Sequence, residues 1–187
     1  MSRVVLTVMV SLDGIFDGLG EGGERIDWMR ADSERLDYSV ELLDSATTLV
    51  FGWRTFEGMS SYWPHQSDPV AERMNGLPKL GCSRSPRSTS WNNARVTSDA
   101  VAEIAALRAR NDEGIALIMG SADLANSLTA HGLIDEYRIA INPVVLASGV
   151  PLFAPGRSRL QFDVVDTRIF ASGIVEIRCT PKPQLAS

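Results

Sequence analysis

Two cysteines, two histidines and no extended apolar run set firm limits on this 187-residue chain. Cys82 and Cys179 lie far apart in apolar, strand-like surroundings, which suits free buried thiols better than a disulfide. His65 and His131 have no clustered cysteines beside them, so a zinc site lacks a ligand set. No segment approaches the roughly 20 apolar residues of a membrane span. The N-terminal stretch Arg3-Val4-Val5-Leu6-Thr7-Val8-Met9-Val10 is short and β-branched and lacks a small-residue cleavage site. It reads as a first strand rather than a signal peptide, and the expected location is the cytoplasm. A basic excess is also missing: the net charge of −5 argues against a dedicated nucleic-acid binder. The nucleotide fingerprints G-x-G-x-x-G and G-x-x-x-x-G-K-[ST] are absent too.

What remains is a globular composition, 44% hydrophobic and 22% charged, in a length suited to one domain with a sizeable core. With no linker, repeat or low-complexity run, the expectation is one domain over 1–187, ordered from about residue 3 to 179. The most informative stretch is Thr48-Leu49-Val50-Phe51-Gly52-Trp53-Arg54-Thr55-Phe56-Glu57-Gly58-Met59. A buried-strand pattern runs into a glycine, then into Arg54 and Thr55 where a helix should start. Helix N-termini gather unsatisfied N–H groups and partial positive charge, and an arginine fork adds a match for phosphate. Ile115-Ala116-Leu117-Ile118-Met119-Gly120-Ser121-Ala122-Asp123-Leu124 repeats the plan. Two such turns point to one extended ligand with several phosphates, and a dinucleotide fits best.

Along the chain, Ser11-Leu12-Asp13-Gly14 ends the first strand, and a loop with Gly14, Gly18, Gly20, Gly22 and Gly23 follows. So loose a segment beside a first strand suits a mobile lid from Asp13 to Arg25, closing over a ligand. Ser33 is expected to cap a helix carrying Leu36, Val40, Leu42 and Leu43. Strands are expected over 47–51, 78–82, 95–97, 115–119 and 134–145, the last interrupted at Asn142-Pro143. Helices are expected over 54–59, over 99–110 with Asp99 as cap, and over 121–130 closed by Gly132. Residues 60–76 read as a polar loop, and 160–170 with 174–179 as a hairpin. Strands alternating with helices before a terminal antiparallel hairpin describe an α/β fold, a mainly parallel sheet with helices on both faces.

The ordered landmarks resemble the dihydrofolate reductase-like superfamily, and within it the branch that includes the reductase domain of bacterial riboflavin biosynthesis. They are Ser11-Leu12-Asp13-Gly14, Phe51-Gly52-Trp53-Arg54-Thr55-Phe56-Glu57, Leu77-Pro78-Lys79 with Ser83-Arg84, Met119-Gly120-Ser121, His131-Gly132-Leu133-Ile134-Asp135-Glu136 and Asn142-Pro143-Val144-Val145-Leu146 with Gly149 and Leu152-Phe153. No zinc-deaminase signature accompanies them. The resemblance implies an eight-stranded, mainly parallel sheet with NADPH across the carboxyl ends of its strands, NADH not being excluded.

Carried over, Gly52, Arg54 and Thr55 hold phosphates, with Arg54 near the 2′-phosphate. Ser83 and Arg84 flank the adenine ribose, and Gly120, Ser121 and Ala122 lie under the pyrophosphate. The backbone near Met9 and Phe16 meets the nicotinamide carboxamide. The chain departs from the family pattern at Trp53, where a second basic residue is frequent, and at Ala122, where a glycine is frequent. Proton delivery falls to Asp13 or Asp32, each with a structural alternative as a turn or helix-start residue. The implied function is reduction of a small heterocyclic substrate, pterin-like or a ribosylated pyrimidine. The alternative is a nucleotide-holding or dimer-forming module without turnover. The apolar set Val144, Val145, Leu146, Val150, Leu152 and Phe153, together with the terminal hairpin, points to a homodimer.

Overall fold

The structure is a computed structural model that describes residues 2–18, 27–110, 113–156 and 159–183. Of the expected lid, residues 19–25 lie outside the described residues. Five strands build the middle of the frame: β1 (Arg3–Ser11), β3 (Ala46–Gly52), β6 (Ile115–Met119), β7 (Glu136–Asn142) and β10 (Val175–Pro181). With β4 (Lys79–Cys82), β5 (Ala94–Thr97) and β9 (Phe162–Ile169) they form one eight-stranded sheet in the order β5-β4-β3-β6-β1-β7-β10-β9. Neighbours from β5 through β7 are parallel, whereas β10 runs antiparallel to both β7 and β9. The chain leaves β1, fills the β3-β4-β5 flank, then returns to insert β6 between β3 and β1.

Strand periodicity decides what each face buries. Val4, Leu6, Val8, Val10, Val50 and Ile118 point to one side and pack against Ile104 and Leu107 of α4 (Ala100–Ala109) and Leu124 and Leu128 of α5 (Ala122–Ala130). Val5, Leu49, Phe51 and Leu117 point to the other, against Leu42 and Leu43 of α1 (Ser33–Asp44), Phe56 of α2 (Trp53–Tyr62) and Met74 of α3 (Pro69–Gly76). Filling both faces requires apolar residues at consecutive positions, which is why β6 reads as a continuous hydrophobic run and β1 as one interrupted only by Thr7 between Val4 and Val10.

Several elements differ from the sequence expectation. Asp32, not Ser33, caps α1 by accepting the Arg35 N–H at 2.7 Å. The inner face of α1 is Tyr38, Leu42 and Leu43, while Leu36 is exposed. The stretch 60–76 holds a 3-10 turn, Trp63–His65, and α3. Asp68 starts α3 by accepting the Val70 and Ala71 N–H groups, with Pro69 in the first turn where its missing N–H costs nothing. A small second sheet pairs β2 (Ile15–Asp17) with β8 (Val150–Pro151). Leu152 leaves the exposed apolar set because it is in the core; Val145, Val150 and Phe153 remain exposed. Among the described residues no helix is long and apolar enough to cross a membrane.

The face beneath α1 turns polar on β7 and β10. Glu136 is almost fully buried and takes ion pairs from Arg3, from Arg138 at 2.6 Å and from Arg178 at 3.3 Å. Next to it, Arg138 donates to the Tyr38 hydroxyl at 3.0 Å, and that hydroxyl bonds the buried Glu176. Burial alone would raise the Glu136 pKa, but hydrogen bonds from Arg178 and Arg138 outweigh it and the net shift is downward. Glu136→Gln leaves the mostly buried Arg138 guanidinium, and the more exposed Arg178 and Arg3, without their counter-charge and should cost about 3 kcal/mol in denaturant unfolding. The ordinary glutamate value is 4.5, and the folded value lies below it. The stabilisation is therefore complete above that pH and is lost as pH falls through the folded pKa. The gap between wild type and variant should narrow on acidification; a constant gap down to acid unfolding would contradict this account.

Candidate functional site

The carboxyl ends of β3, β4 and β6 open on a cleft of about 810 Å³. Parallel sheets place ligands at such ends because the following helices start there and aim their free N–H groups outward. Here the helix starts differ. α1, α3 and α4 each begin at an aspartate (Asp32, Asp68, Asp99) whose carboxylate accepts N–H groups of the first turn. α2 and α5 begin at Gly52 and Ser121 with no side-chain cap. Both uncapped starts line the cleft, where they are joined by the Asp99-capped start of α4.

Those starts are tied to each other. The Gly52 N–H donates to the Ser121 hydroxyl at 2.8 Å. A Cβ at position 52 would lie 3.1 Å from Ser121 Cβ, so the close approach of the turns favours glycine there, and a larger residue would push them apart by a few tenths of an ångström. Gly120 and Ser121 both adopt left-handed backbone, with φ of +61° and +65°. For serine that conformation costs on the order of 1–3 kcal/mol. It is held by the Gly120 N–H bond to the Thr7 carbonyl at 3.0 Å and by the Ser121 hydroxyl itself, 3.3 Å from the Met119 carbonyl.

The cleft brings together Phe16, Gly52, Arg54, Thr55, Ser83, Arg84, Ser121 and Ala122, eight of the twelve positions named from the sequence. Gly120 lies just behind it, in reach of the Phe16 ring. Met9 does not line the cleft; it packs beside Tyr38, Ala140, Phe170 and Ile174. Asp13 and Asp32 also lie outside the lining. Asp13 accepts the Ser11 hydroxyl at 2.6 Å and the Leu146 and Ala147 N–H groups at 3.2 and 2.8 Å. The Ser11 bond first, then these N–H groups, hold its carboxyl below the ordinary range. Asp32 uses one oxygen on Arg35 and the other on the Ser172 N–H at 2.7 Å. Ser172, then Arg35, lowers its pKa in the same way. Both carboxylates tie loops to strand or helix ends, and the geometry directs neither toward the cleft.

Other lining residues were not assigned to the site from the sequence. Asn126 on α5 is buried; its amide donates to the Leu152 carbonyl at 2.7 Å and accepts the Ala154 N–H at 3.2 Å, fastening the 152–154 segment to the cleft wall. His131 faces the cleft with Nδ1 2.9 Å from the Ser127 carbonyl. Asp17 lines it and pairs with Arg54 at 3.2 Å. Trp53, the departure noted beside Arg54, stacks on Phe56 at 5.3 Å and carries the Arg87 guanidinium over its ring at 5.5 Å.

Sheet order, uncapped turns and cleft define a dihydrofolate reductase-like α/β protein. Its family follows from the chain as a whole: residues 2–175 match the RibD C-terminal domain, and the protein belongs to that family. The uncharacterized protein YyaP of Bacillus subtilis (strain 168) is 31% identical over 180 residues, covering 94% of this chain and 93% of its own length. A Shewanella sp. PV-4 protein assigned to riboflavin biosynthesis superposes with a TM-score of 0.77 at 22% identity, over 98% of this chain and 100% of its own. Dihydrofolate reductase from Enterococcus faecalis, solved with NADP(H), gives a TM-score of 0.61 at 14% identity, over 97% of both chains.

Ser121 offers a test of the linked turns. Ser121→Ala loses the acceptor for Gly52 while keeping the left-handed strain, and should lower stability by about 1–2 kcal/mol. Ser121→Gly loses the same acceptor but relieves the strain, and should melt close to wild type. Equal melting temperatures for the two variants would contradict this reading.

Proposed function

We propose that the protein is a nicotinamide-dependent reductase of a small heterocyclic compound, with NADPH as the preferred donor. The observation that carries the proposal is the pair of adjacent, uncapped helix starts at Gly52 and Ser121, flanked by Arg54 and Arg84 on one cleft. A dinucleotide phosphate group suits this arrangement: backbone N–H groups without side-chain partners, a glycine where the backbone is approached closely, and guanidinium groups alongside. Arg54 and Thr55 would meet phosphate at the start of α2, Ser121 and Ala122 at the start of α5, and Ser83 and Arg84 the ribose beyond. When bound, the nicotinamide supplies hydride. The chain's part is to fix the phosphates, place the ring and keep the reacting atoms dry. Relatives in riboflavin and folate chemistry support a pterin-like or ribosylated pyrimidine substrate. With Asp13 and Asp32 engaged in loop bonds, we assign proton delivery to water.

We also propose a homodimer. β9 is exposed on both faces along most of its length, and Val164, Val165 and Ile169 are each more than half exposed, an apolar edge that a second copy would cover. Light scattering at micromolar concentration should give twice the mass of the chain, and Val165→Lys should shift it to the monomer.

Cofactor identity has its own measurement. Arg54→Ala should weaken NADPH binding about tenfold or more and NADH binding much less, the loss of one charge-assisted contact to the 2′-phosphate. Equal losses for both cofactors in a fluorescence titration would sink the placement of Arg54. Binding without oxidation of NADPH by any pterin or pyrimidine tried would instead favour a nucleotide-holding module.

A further inference from the structure

The cleft that should attract phosphate already holds an anion. Asp17 Oδ2 lies 3.2 Å from Arg54 Nη1 across the mouth formed by β2 and α2. The exposures are unequal: the Arg54 side chain is 67% exposed and the Asp17 side chain only 17%. Asp17 is also not free to swing aside with a loose loop. Its residue pairs with Val150 in the small sheet, and Gly149 packs against its carbonyl so closely that a Cβ there would sit 2.5 Å from that oxygen. The neighbouring Phe16 ring rests against the Gly120 turn. The backbone thus delivers this carboxylate to the start of α2.

The charges around it are nearly balanced. Arg54, Arg84 and the polar ring of His131 line the cleft, but so do Asp17, Asp99 and Asp123. Asp99 is occupied in capping α4, where it accepts the Ala102 N–H at 3.0 Å. Asp17 is the acid that sits directly on a guanidinium of the cleft. A phosphate can reach Arg54 only by displacing that carboxylate or by lying beside it, and like charges at close range are costly.

We infer that Asp17 is a specificity-determining residue of the cleft, an internal carboxylate that competes with the ligand's phosphate for Arg54. The inference rests on the cofactor reading above. It makes the occupancy of Arg54 conditional: a dinucleotide with an extra phosphate gains the arginine only against Asp17, whereas one with a hydroxyl at that position leaves the pair intact. Asp17 therefore lowers the advantage of NADPH over NADH.

Fluorescence titrations of NADPH and NADH on wild type, Asp17→Asn, Arg54→Ala and the double variant test this, with melting temperatures to confirm folding and Asp17→Ala as a second replacement. Asp17→Asn should tighten NADPH at least about threefold, the scale of one partly exposed ion pair, and NADH less. In the Arg54→Ala background the same substitution should change nothing. No gain from either Asp17 replacement, an equal gain for NADH, or a gain that survives loss of Arg54 would overturn the inference while leaving the cofactor reading in place. If neither nucleotide binds any of the four proteins, the cofactor reading fails and this inference falls with it.

Discussion

The hydrogen bond from the Gly52 N–H to the Ser121 hydroxyl joins two turns separated by 69 residues in sequence. Much of the site follows from it. β3 and β6 are neighbours in the sheet, so the helices that leave them start side by side. For both starts to face the same cleft, one turn must pass close to the other, and a serine forced into left-handed backbone provides the contact. A conventional side-chain cap at either position would take up an N–H group of the first turn and put a competing oxygen where an anion would lie. Serine at position 121 instead turns its hydroxyl sideways to the neighbouring turn, so the helix start it precedes stays uncapped.

Carboxylates elsewhere in the chain fix structure. Asp13 clamps the 146–147 backbone to the end of β1, Asp32 joins α1 to the turn of the β9-β10 hairpin, and Glu136 gathers arginines from three strands. Each lies at a junction where a loop or strand end must be held without much apolar surface. Asp17 belongs to a different group, since its partner faces the cleft.

Much of the frame was legible from residue order. β1, β6 and α4 with its Asp99 cap stand within a residue or two of where hydrophobic runs and capping residues place them, because a strand buried on both faces leaves a near-continuous apolar signature. α3 was hidden because its buried residues are few, Ala71 and Met74, in a stretch otherwise polar. β2 and β8 were hidden for another reason: strands of three and two residues carry no period. Most of the positions named from the sequence do line the cleft, because they follow strands directly and their place is set by topology. Asn126 and Asp17 could not be named in this way, nor could the left-handed backbone of Ser121 and its bond to Gly52, since these arise from partners far away in sequence.

The position of β1 also governs how the chain can reach this fold. β1 is flanked on one side by residues 115–119 and on the other by 136–142, both far later in the chain. Until both have been synthesised, at least one edge of this very apolar strand lacks its partner. β3, β4 and β5 are close in sequence and can associate early, and the β9-β10 hairpin is local, but the centre of the sheet closes only through long loops. Such non-local pairing slows folding and leaves sticky edges exposed meanwhile. The chain should therefore assemble its flanks first and its middle last, and a nascent chain released before residue 142 would lack the strand that covers β1.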